Sequence, residues 1–154
     1  MVEGRRITDL KTLEVATMVY AGKINKTVVA KLQENKCNAL GLTGADGNVI
    51  ISKKRPVDSI DYGFVGDIIQ VNSDFIHLMI KAQLTPVFCA ITHNTKGQLL
   101  NTNADTIASE LAKSMSFLFN TELYYCFNKP GVLRSVEDEN SVIPQINSES
   151  YGIL

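Results

Sequence analysis

Short apolar runs alternate with stretches of helical periodicity along this chain, and this alternation constrains the fold most strongly. Four runs are too short and too continuous for amphipathic helices and predict strands: 39–42, 49–51, 86–91 and 123–127. Elsewhere, apolar residues recur every three or four positions, which is the spacing of the buried face of a helix. Buried strands that alternate with amphipathic helices predict an α/β fold with a mainly parallel sheet.

The periodic stretches predict four helices. The first runs from about Asp9 to Ala21 and the second from about Asn25 to Asn35, with Gly22 interrupting them. Ser73 is expected to cap a third helix, and a fourth helix carries an apolar stripe within residues 107–115. The segment from Pro56 to Val71 mixes glycine with aromatic residues, which favours a hairpin or flap over a sheet edge.

Composition limits the classes of partner. Fifteen Lys and Arg against sixteen Asp and Glu give a net charge of -1 at pH 7, so no excess charge favours nucleic acid or a membrane surface. No apolar run reaches the roughly 20 residues that span a bilayer, and residues 1–6 lack the apolar stretch of a secretory signal. With 45% hydrophobic residues in a chain of 154, we expect one cytoplasmic domain over residues 1–154 that binds a small ligand.

The three cysteines do not predict a metal site. Cys37, Cys89 and Cys126 are far apart in sequence, without a C-x-x-C pair or a histidine at ligand spacing. Their odd number and the apolar neighbours of Cys89 and Cys126 favour reduced thiols in a reducing compartment.

The segment from Leu99 to Asp105 joins a loop to the fourth predicted helix and is the strongest candidate site. The unpaired N–H groups at a helix N-terminus attract an anion such as a carboxylate, and the amides of Asn101 and Asn103 add donors. Asp105 falls in the first turn, where a carboxylate is stabilised and can hold a lysine in position. The alternative is a helix cap, with Asn101 or Asn103 as the N-cap and Asp105 interacting with the helix dipole.

Two arginines precede the first predicted helix. Arg5 and Arg6 each carry a guanidinium group that can bind a carboxylate through two parallel hydrogen bonds. The alternative is that both side chains are solvated near the chain terminus.

Several short motifs resemble, in order and spacing, those of the acetylglutamate kinases of the amino-acid kinase superfamily. The Asn-x-Asn-Ala-Asp segment together with the Gly-x-Arg-[IV]-Thr segment is the specific part, and the resemblance covers nearly the whole chain. The matching segments are Gly4-Arg5-Arg6-Ile7-Thr8-Asp9, Thr12-Leu13-Glu14-Val15, Asn25-Lys26, Gly41-Leu42-Thr43-Gly44-Ala45-Asp46-Gly47, Tyr62-Gly63-Phe64-Val65-Gly66-Asp67, Leu100-Asn101-Thr102-Asn103-Ala104-Asp105 and Gly131-Val132-Leu133.

The resemblance implies an open three-layer α/β/α sandwich that transfers the γ-phosphoryl group of MgATP to the side-chain carboxylate of N-acetyl-L-glutamate. Another N-acylglutamate, such as N-succinylglutamate, is also compatible with it. ATP and Mg²⁺ are the implied cofactors, arginine biosynthesis is the implied pathway, and a homodimer or higher homo-oligomer is the implied assembly. Carbamate and aspartate kinases fit less well, because they are not expected to carry this arginine and asparagine pairing.

Residue roles follow from the same resemblance. Arg6 and Asn101 are expected to bind the acylglutamate at its α-carboxylate, with Asn103 beside them, and Asp105 is expected to organise the catalytic lysines. The segment from the end of the predicted strand into the next loop is expected to lie against the nucleotide; it comprises Asn128, Lys129, Pro130, Gly131, Val132 and Leu133. Asn128 stands where the family usually has aspartate, which leaves only an amide oxygen as acceptor.

Three family segments do not occur in this sequence. They are the Lys-x-Gly-Gly loop, the His-Gly-Gly-Gly segment and the Gly-Met-x-x-Lys segment, and the first and last carry the two lysines that neutralise the transferring phosphoryl group. We therefore expect the chain to be the central part of such a kinase, incomplete at both ends, with little or no kinase activity by itself. The alternative is a non-catalytic remnant of the fold that binds a metabolite or has a structural role.

Overall fold

The computed structural model describes residues 7–126, 128–135, 137–147 and 151. The chain divides into two compact units, Met1–Leu123 and Tyr124–Leu154, and each is described by itself. All helices and strands named below lie in the first unit.

The described chain begins with three consecutive helical segments. Helix α1 is Leu10–Thr17, a π-helical segment follows over Met18–Ile24, and helix α2 is Asn25–Glu34. The predicted interruption at Gly22 is wrong, because the backbone stays helical through it and only widens. A glycine weakens a helix by about 1 kcal/mol relative to alanine without ending it.

Among the described residues, six strands form two sheets. The strands are β1 Ala39–Leu42, β2 Ile50–Lys54, β3 Gly66–Val71, β4 Thr85–Phe88, β5 Ile91–His93 and β6 Leu99–Asn101. Strands β1 and β4 form a parallel pair. The second sheet has the order β3-β2-β5-β6, in which β2 and β5 are parallel, while β3 pairs with β2 and β6 pairs with β5 in antiparallel fashion. The predicted α/β class is confirmed.

The single strand predicted over 86–91 is divided between the two sheets. The backbone N–H of Cys89 still donates to the carbonyl of Leu42 on β1, but Ile91 already belongs to the second sheet, where its carbonyl accepts from Gly44. The chain therefore changes sheets at Cys89 and Ala90. Strand β6 was not predicted, since its three residues are too few to show a period.

Helices α3 (Ser73–Lys81) and α4 (Ala104–Met115) contribute apolar side chains to the core of the first unit. Helix α3 is capped by Asn72, whose Oδ1 accepts from the N–H of Phe75 at 3.1 Å, so Ser73 is the first helical residue and not the cap. The predicted apolar stripe on α4 is confirmed for Ile107 and Met115, which are both buried. One cluster of buried core residues comprises Leu42, Val49, Ile50, Ile76, Met79, Ile107 and Met115.

The strand predicted over 123–127 is not formed by residues 123–126, and Phe127 lies outside the described residues. Leu123 is 42% exposed in the first unit, and Tyr124 is 79% exposed in the second. Aromatic residues favour strands only where a neighbouring strand and a buried face are available.

The second unit contains a short antiparallel contact. Leu133 pairs with Val142, and the N–H of Ile143 donates to the carbonyl of Val132 at 2.8 Å. The acidic run 137–139, between these two segments, is exposed.

Candidate functional site

A cleft of about 650 Å³ lies in the first unit. Its apolar wall comes from the π-helical segment and α2, and its floor from the ends of β4 and β6 and the start of β3. Ligands of α/β proteins bind at the carboxyl ends of strands, and Val87 and Phe88 at the end of β4 line this cleft. The polar and charged residues of the lining are Asn25, Arg55, Asp67, Asn101, Thr102, Asn103, Thr106 and Glu110.

The two predicted asparagines both line the cleft. Asn101 is the last residue of β6, and Asn103 is the N-cap of α4, where its Oδ1 accepts from the backbone N–H of Thr106 at 2.9 Å. The capping interpretation is therefore confirmed for Asn103. This cap occupies the amide oxygen and leaves the amide nitrogen as the group that Asn103 can direct to a ligand. Binding of a carboxylate by either residue stays a prediction.

Asn101 is tied to the segment that begins the described chain. Its Nδ2 donates to Oγ1 of Thr8 at 3.1 Å, and its backbone N–H donates to the carbonyl of Phe64 at 2.9 Å. Thr8 is fully buried and follows Arg6 by two residues in the sequence. Arg6 itself lies outside the described residues, so the predicted convergence of Arg6 and Asn101 stays a prediction.

Asp105 lies where the sequence predicts it, in the first turn of α4. Its side chain is exposed, and the residues beside it, Ala104 and Thr106, line the cleft while Asp105 does not. A carboxylate there is stabilised by the helix dipole. Its proposed role in organising lysines stays a prediction.

Arg55 and Asp67 form an ion pair at the cleft that the site prediction did not include. Nε of Arg55 donates to both carboxylate oxygens, at 3.1 and 3.2 Å, and Nη2 donates to Oδ1. The hydrogen bonds to Asp67 raise the pKa of the Arg55 guanidinium. Arg55 also lies 5.5 Å from the ring centroid of Tyr62, a cation–π distance.

Asn25 and Lys26 hold helix α2 against the strands of the first sheet. Nδ2 of Asn25 donates to the carbonyl of Val87 at 2.8 Å, and Nζ of Lys26 donates to the carbonyl of Gly41 at 2.9 Å. Asn25 is only 3% exposed, and its buried Oδ1 has no partner among the residues that the structure describes. This pair fixes the helix that forms the apolar wall of the cleft.

The segment predicted to contact a nucleotide, residues 128–133, lies in the second unit. Nζ of Lys129 lies 2.6 Å from Oε1 of Glu139 in an ion pair. The carbonyl of Val132 accepts a hydrogen bond from the backbone N–H of Ile143. Nucleotide binding by Asn128, Lys129, Pro130, Gly131, Val132 and Leu133 stays a prediction.

In the described ranges, no group of three or more His, Cys, Asp or Glu side chains comes together, and no helix is long and apolar enough to cross a bilayer. Cys89 is half-buried at the cleft, and burial raises the pKa of its thiol.

The chain matches the amino acid kinase family over residues 2–153. It is 56% identical over 151 residues to a Phocaeicola vulgatus protein named acetylglutamate kinase, covering 98% of this chain and 59% of that protein. It is also 56% identical to the acetylglutamate kinase of Cytophaga hutchinsonii, covering 100% of this chain and 59% of the relative. The chain thus spans about 59% of the length of these relatives.

Solved structures show the same fold. The protein smu.665 of Streptococcus mutans superposes with a TM-score of 0.69 at 22% identity, over 75% of this chain and 46% of that one. The N-acetylglutamate synthase of Neisseria gonorrhoeae, solved with coenzyme A and N-acetyl-glutamate, gives a TM-score of 0.61 at 20% identity, over 73% and 26% of the two chains.

Proposed function

Because the chain belongs to the amino acid kinase family, we propose that it forms the acylglutamate-binding part of an acetylglutamate kinase, an enzyme of arginine biosynthesis. The proposed reaction transfers the γ-phosphoryl group of MgATP to the side-chain carboxylate of N-acetyl-L-glutamate. The names of relatives at 56% identity support this substrate.

One structural observation supports the proposal independently of the names of the relatives. Asn101 and Asn103 line a single cleft at the carboxyl ends of strands, and Asn101 is hydrogen-bonded to Thr8, two residues after Arg6. We infer that Arg6 and Asn101 bind the α-carboxylate of the substrate and that the amide nitrogen of Asn103 adds a donor. The apolar wall of Tyr20, Ile24 and Val28 is suited to the methyl group of an acetyl substituent or to the methylene groups of a succinyl substituent.

The chemistry requires positioning and neutralisation of charge. An oxygen of the side-chain carboxylate attacks the γ-phosphorus, the bond from that phosphorus to the β–γ bridging oxygen breaks, and ADP leaves with an acyl phosphate as the product. Positive groups must stabilise the transferring phosphoryl group. Among the described residues that line the cleft, the cation is Arg55, and Asp67 already pairs with it. We therefore infer that the 154-residue chain has little or no kinase activity by itself.

The remaining parts of the proposal concern the nucleotide, the assembly and the cell. Residues 128–133 are proposed to contact ATP, and Asp105 is proposed to position catalytic lysines. Magnesium is proposed to enter with the nucleotide, because Mg²⁺ is typically held by substrate phosphates and one or two carboxylates. A homodimer or higher homo-oligomer in the cytoplasm completes the proposal, and three free thiols suit a reducing compartment.

Calorimetric titration of the 154-residue chain with N-acetylglutamate and N-succinylglutamate tests the binding site. We expect measurable binding that Asn101→Ala weakens by about tenfold, the loss of roughly one charge-assisted hydrogen bond. Asn35→Ala is the matched control, since Asn35 is exposed at the end of α2 and away from the cleft lining. Equal affinity in the Asn101 variant would contradict the site.

An activity assay completes the test. We expect no acylglutamate-dependent release of ADP by the isolated chain, and turnover of ATP would contradict the inferred inactivity. Absence of acylglutamate binding would contradict the proposed substrate.

A further inference from the structure

The residue between the two cleft asparagines is held by a buried side-chain hydrogen bond. Oγ1 of Thr102 lies 2.7 Å from Oγ1 of Thr92, and both residues are buried. Thr92 is the middle residue of β5 and stands opposite Leu100 on β6, so Thr102 is its diagonal neighbour. Asn101 and Asn103 flank Thr102 and line the cleft. A movement of Thr102 therefore moves both asparagines.

The strands that carry this segment are short. Strands β5 and β6 have three residues each, and β6 stands at the end of the order β3-β2-β5-β6. Beyond β6, the backbone N–H of Thr102 donates to the carbonyl of Ala90 at 3.0 Å, and Asn103 then caps α4. The hydroxyl pair of Thr92 and Thr102 supplies a side-chain link to β5 in addition to that backbone bond.

The length of the hydrogen bond determines how close the segment lies to β5. Two carbon atoms in contact are about 3.5–4.0 Å apart, whereas the oxygens of Thr92 and Thr102 are 2.7 Å apart. The pair therefore holds the segment roughly 1 Å closer to β5 than two methyl groups would. Binding groups must be held within about 0.5 Å of their productive geometry. A shift of this size is thus expected to impair binding by both asparagines.

Gly66, the first residue of β3, encloses the Thr102 hydroxyl from another side. A Cβ at position 66 would lie 2.7 Å from Oγ1 of Thr102 and 3.0 Å from Cβ of Leu100. The hydroxyl of Thr102 is therefore closely surrounded by β3 and β5. Because the side chain has little room to shift, a change that lengthens its contact with Thr92 must displace the segment itself.

We propose that Thr92 and Thr102 are positioning residues for the acylglutamate. Their hydrogen bond fixes the backbone between Asn101 and Asn103 and thereby fixes the two amide groups of the proposed substrate site. Thr92 is fully buried and does not line the cleft, so it acts through Thr102 and not by touching the substrate. The inference rests on the proposed function, since it concerns how the same binding site is held.

Calorimetric titration of the 154-residue chain with N-acetylglutamate tests the effect on binding. Thr92→Ala removes the hydroxyl partner outside the cleft and is expected to weaken binding about threefold to tenfold, the net contribution of one hydrogen bond. Thr102→Val replaces the hydroxyl with a methyl group and is expected to weaken binding at least as much. Thr102→Ser keeps the hydroxyl, so we expect it to keep the affinity of the wild type.

Ser52→Ala is the matched control. Ser52 is buried in the same sheet, and a Cβ on Gly66 would lie 3.1 Å from its Cβ. Its Oγ has no hydrogen-bond partner among the described residues, so we expect unchanged affinity without it. If the hydroxyl of Thr102 were merely structural, affinity would follow the melting temperature across the variants. Positioning keeps the affinity in Thr102→Ser even where the lost methyl group lowers the melting temperature.

Amide hydrogen exchange in the ligand-free chain gives a second readout. The N–H of Asn101 donates to the carbonyl of Phe64, and the N–H of Thr106 donates to Oδ1 of Asn103. These two amides therefore report on the two asparagines. In Thr92→Ala we expect both to exchange about threefold to tenfold faster, because the segment opens locally more often. The N–H of Phe75, which bonds to Asn72 at the start of α3, should be unaffected.

The outcomes distinguish this inference from the proposed function. Wild-type affinity in Thr92→Ala, or unchanged exchange at both reporting amides, overturns the role of the pair and leaves the proposed function standing. Equal losses of affinity in Thr102→Ser and Thr102→Val also overturn it, because the hydroxyl is then not the cause. A wild-type chain that does not bind N-acetylglutamate overturns both. Circular dichroism establishes which variants are folded, and Thr102→Val replaces Thr92→Ala if the latter is not.

Discussion

Gly41 lies where helix α2 comes closest to strand β1. A Cβ at this position would overlap Oδ1 of Asn25 and would lie 2.8 Å from Nζ of Lys26. Both side chains hold the helix against the sheet through hydrogen bonds, so neither can move without losing a bond. The absence of a side chain at position 41 is thus a condition for this contact.

We predict that Gly41→Ala lowers the free energy of unfolding by about 1–3 kcal/mol, the usual effect of overpacking. Urea denaturation of the variant and the wild type measures this difference. Gly22→Ala is the control, because a Cβ there meets nothing within 4 Å and alanine stabilises a helix by about 0.5–1 kcal/mol relative to glycine. Equal midpoints for Gly41→Ala and wild type would contradict the close contact.

The cysteines should differ in reactivity. Burial raises the pKa of the Cys89 thiol, whereas Cys126 is exposed, and thiolate formation and access control alkylation. We predict that iodoacetamide at a pH of about 8, near the ordinary thiol pKa, labels Cys126 before Cys89, as measured by mass spectrometry of peptides over time. Cys126→Ser should remove the fast phase, and a fast phase retained in that variant would show that another thiol is the reactive one.

The sequence predicted those candidate site residues that lie close together along the chain. Asn101, Asn103 and Asp105 belong to one segment, and the structure places the asparagines at the cleft and Asp105 in the first turn of α4. Arg55 and Asp67 were missed as site residues because they meet only through the antiparallel register of β2 and β3. No local pattern fixes that register.

At the scale of elements, Asp9, the N-cap of helix α1, makes the stability of the fold depend on pH. Its Oδ1 accepts from the N–H of Thr12 at 2.7 Å, and the hydrogen bond from Thr12 lowers the pKa of the exposed carboxyl. A carboxyl group with a lower pKa in the folded state stabilises that state above its unfolded pKa. The contribution is lost as pH falls through the folded value.

We predict that wild type is more stable than Asp9→Asn at pH 7 and that the difference shrinks as the pH falls below about 4. The asparagine still caps the helix but carries no charge. Thermal denaturation of both proteins at neutral pH and at a pH of about 3 measures this. Asp74→Asn, in the first turn of α3, serves as a comparison for a general effect of removing a carboxylate, and a constant difference at both pH values would contradict the prediction.

The period of apolar residues predicted helices better than it predicted strands. Helix α4 was predicted by its stripe, since Ile107 and Met115 repeat a spacing that only a helix buries on one side. Strand identity depends on partners elsewhere in the chain. For that reason residues 86–91 divide between two sheets, and residues 123–126 form no strand despite their aromatic content.

At the scale of the whole molecule, the buried core identified above lies entirely within Met1–Leu123. We predict that a chain ending at Leu123 keeps a cooperative thermal transition close to that of the 154-residue chain, because every residue of that core is retained. Circular dichroism and calorimetry measure the transition. A control chain ending at Asn103 loses α4 and with it Ile107 and Met115, and should not unfold cooperatively.

The α/β class could be predicted at this scale, while the arrangement of the strands could not. Helical and strand-like periods appear in the sequence, but the sheet orders depend on contacts between distant segments, such as Ala39 with Thr85 and Ile51 with His93. The cleft is lined by residues of β3, β4 and β6, which are distant in sequence. Of its polar lining, the sequence therefore predicted only Asn101 and Asn103.

The π-helical segment Met18–Ile24 determines how the side chains of helix α2 are oriented around the helix axis relative to those of α1. An α-helix rotates by about 100° per residue, so removing one residue from this segment would swing Asn25 around the axis and away from the Val87 carbonyl. The length of the π-helical segment therefore fixes which face of α2 lines the cleft. In a chain shortened there by one residue, α2 would present a different face to the cleft.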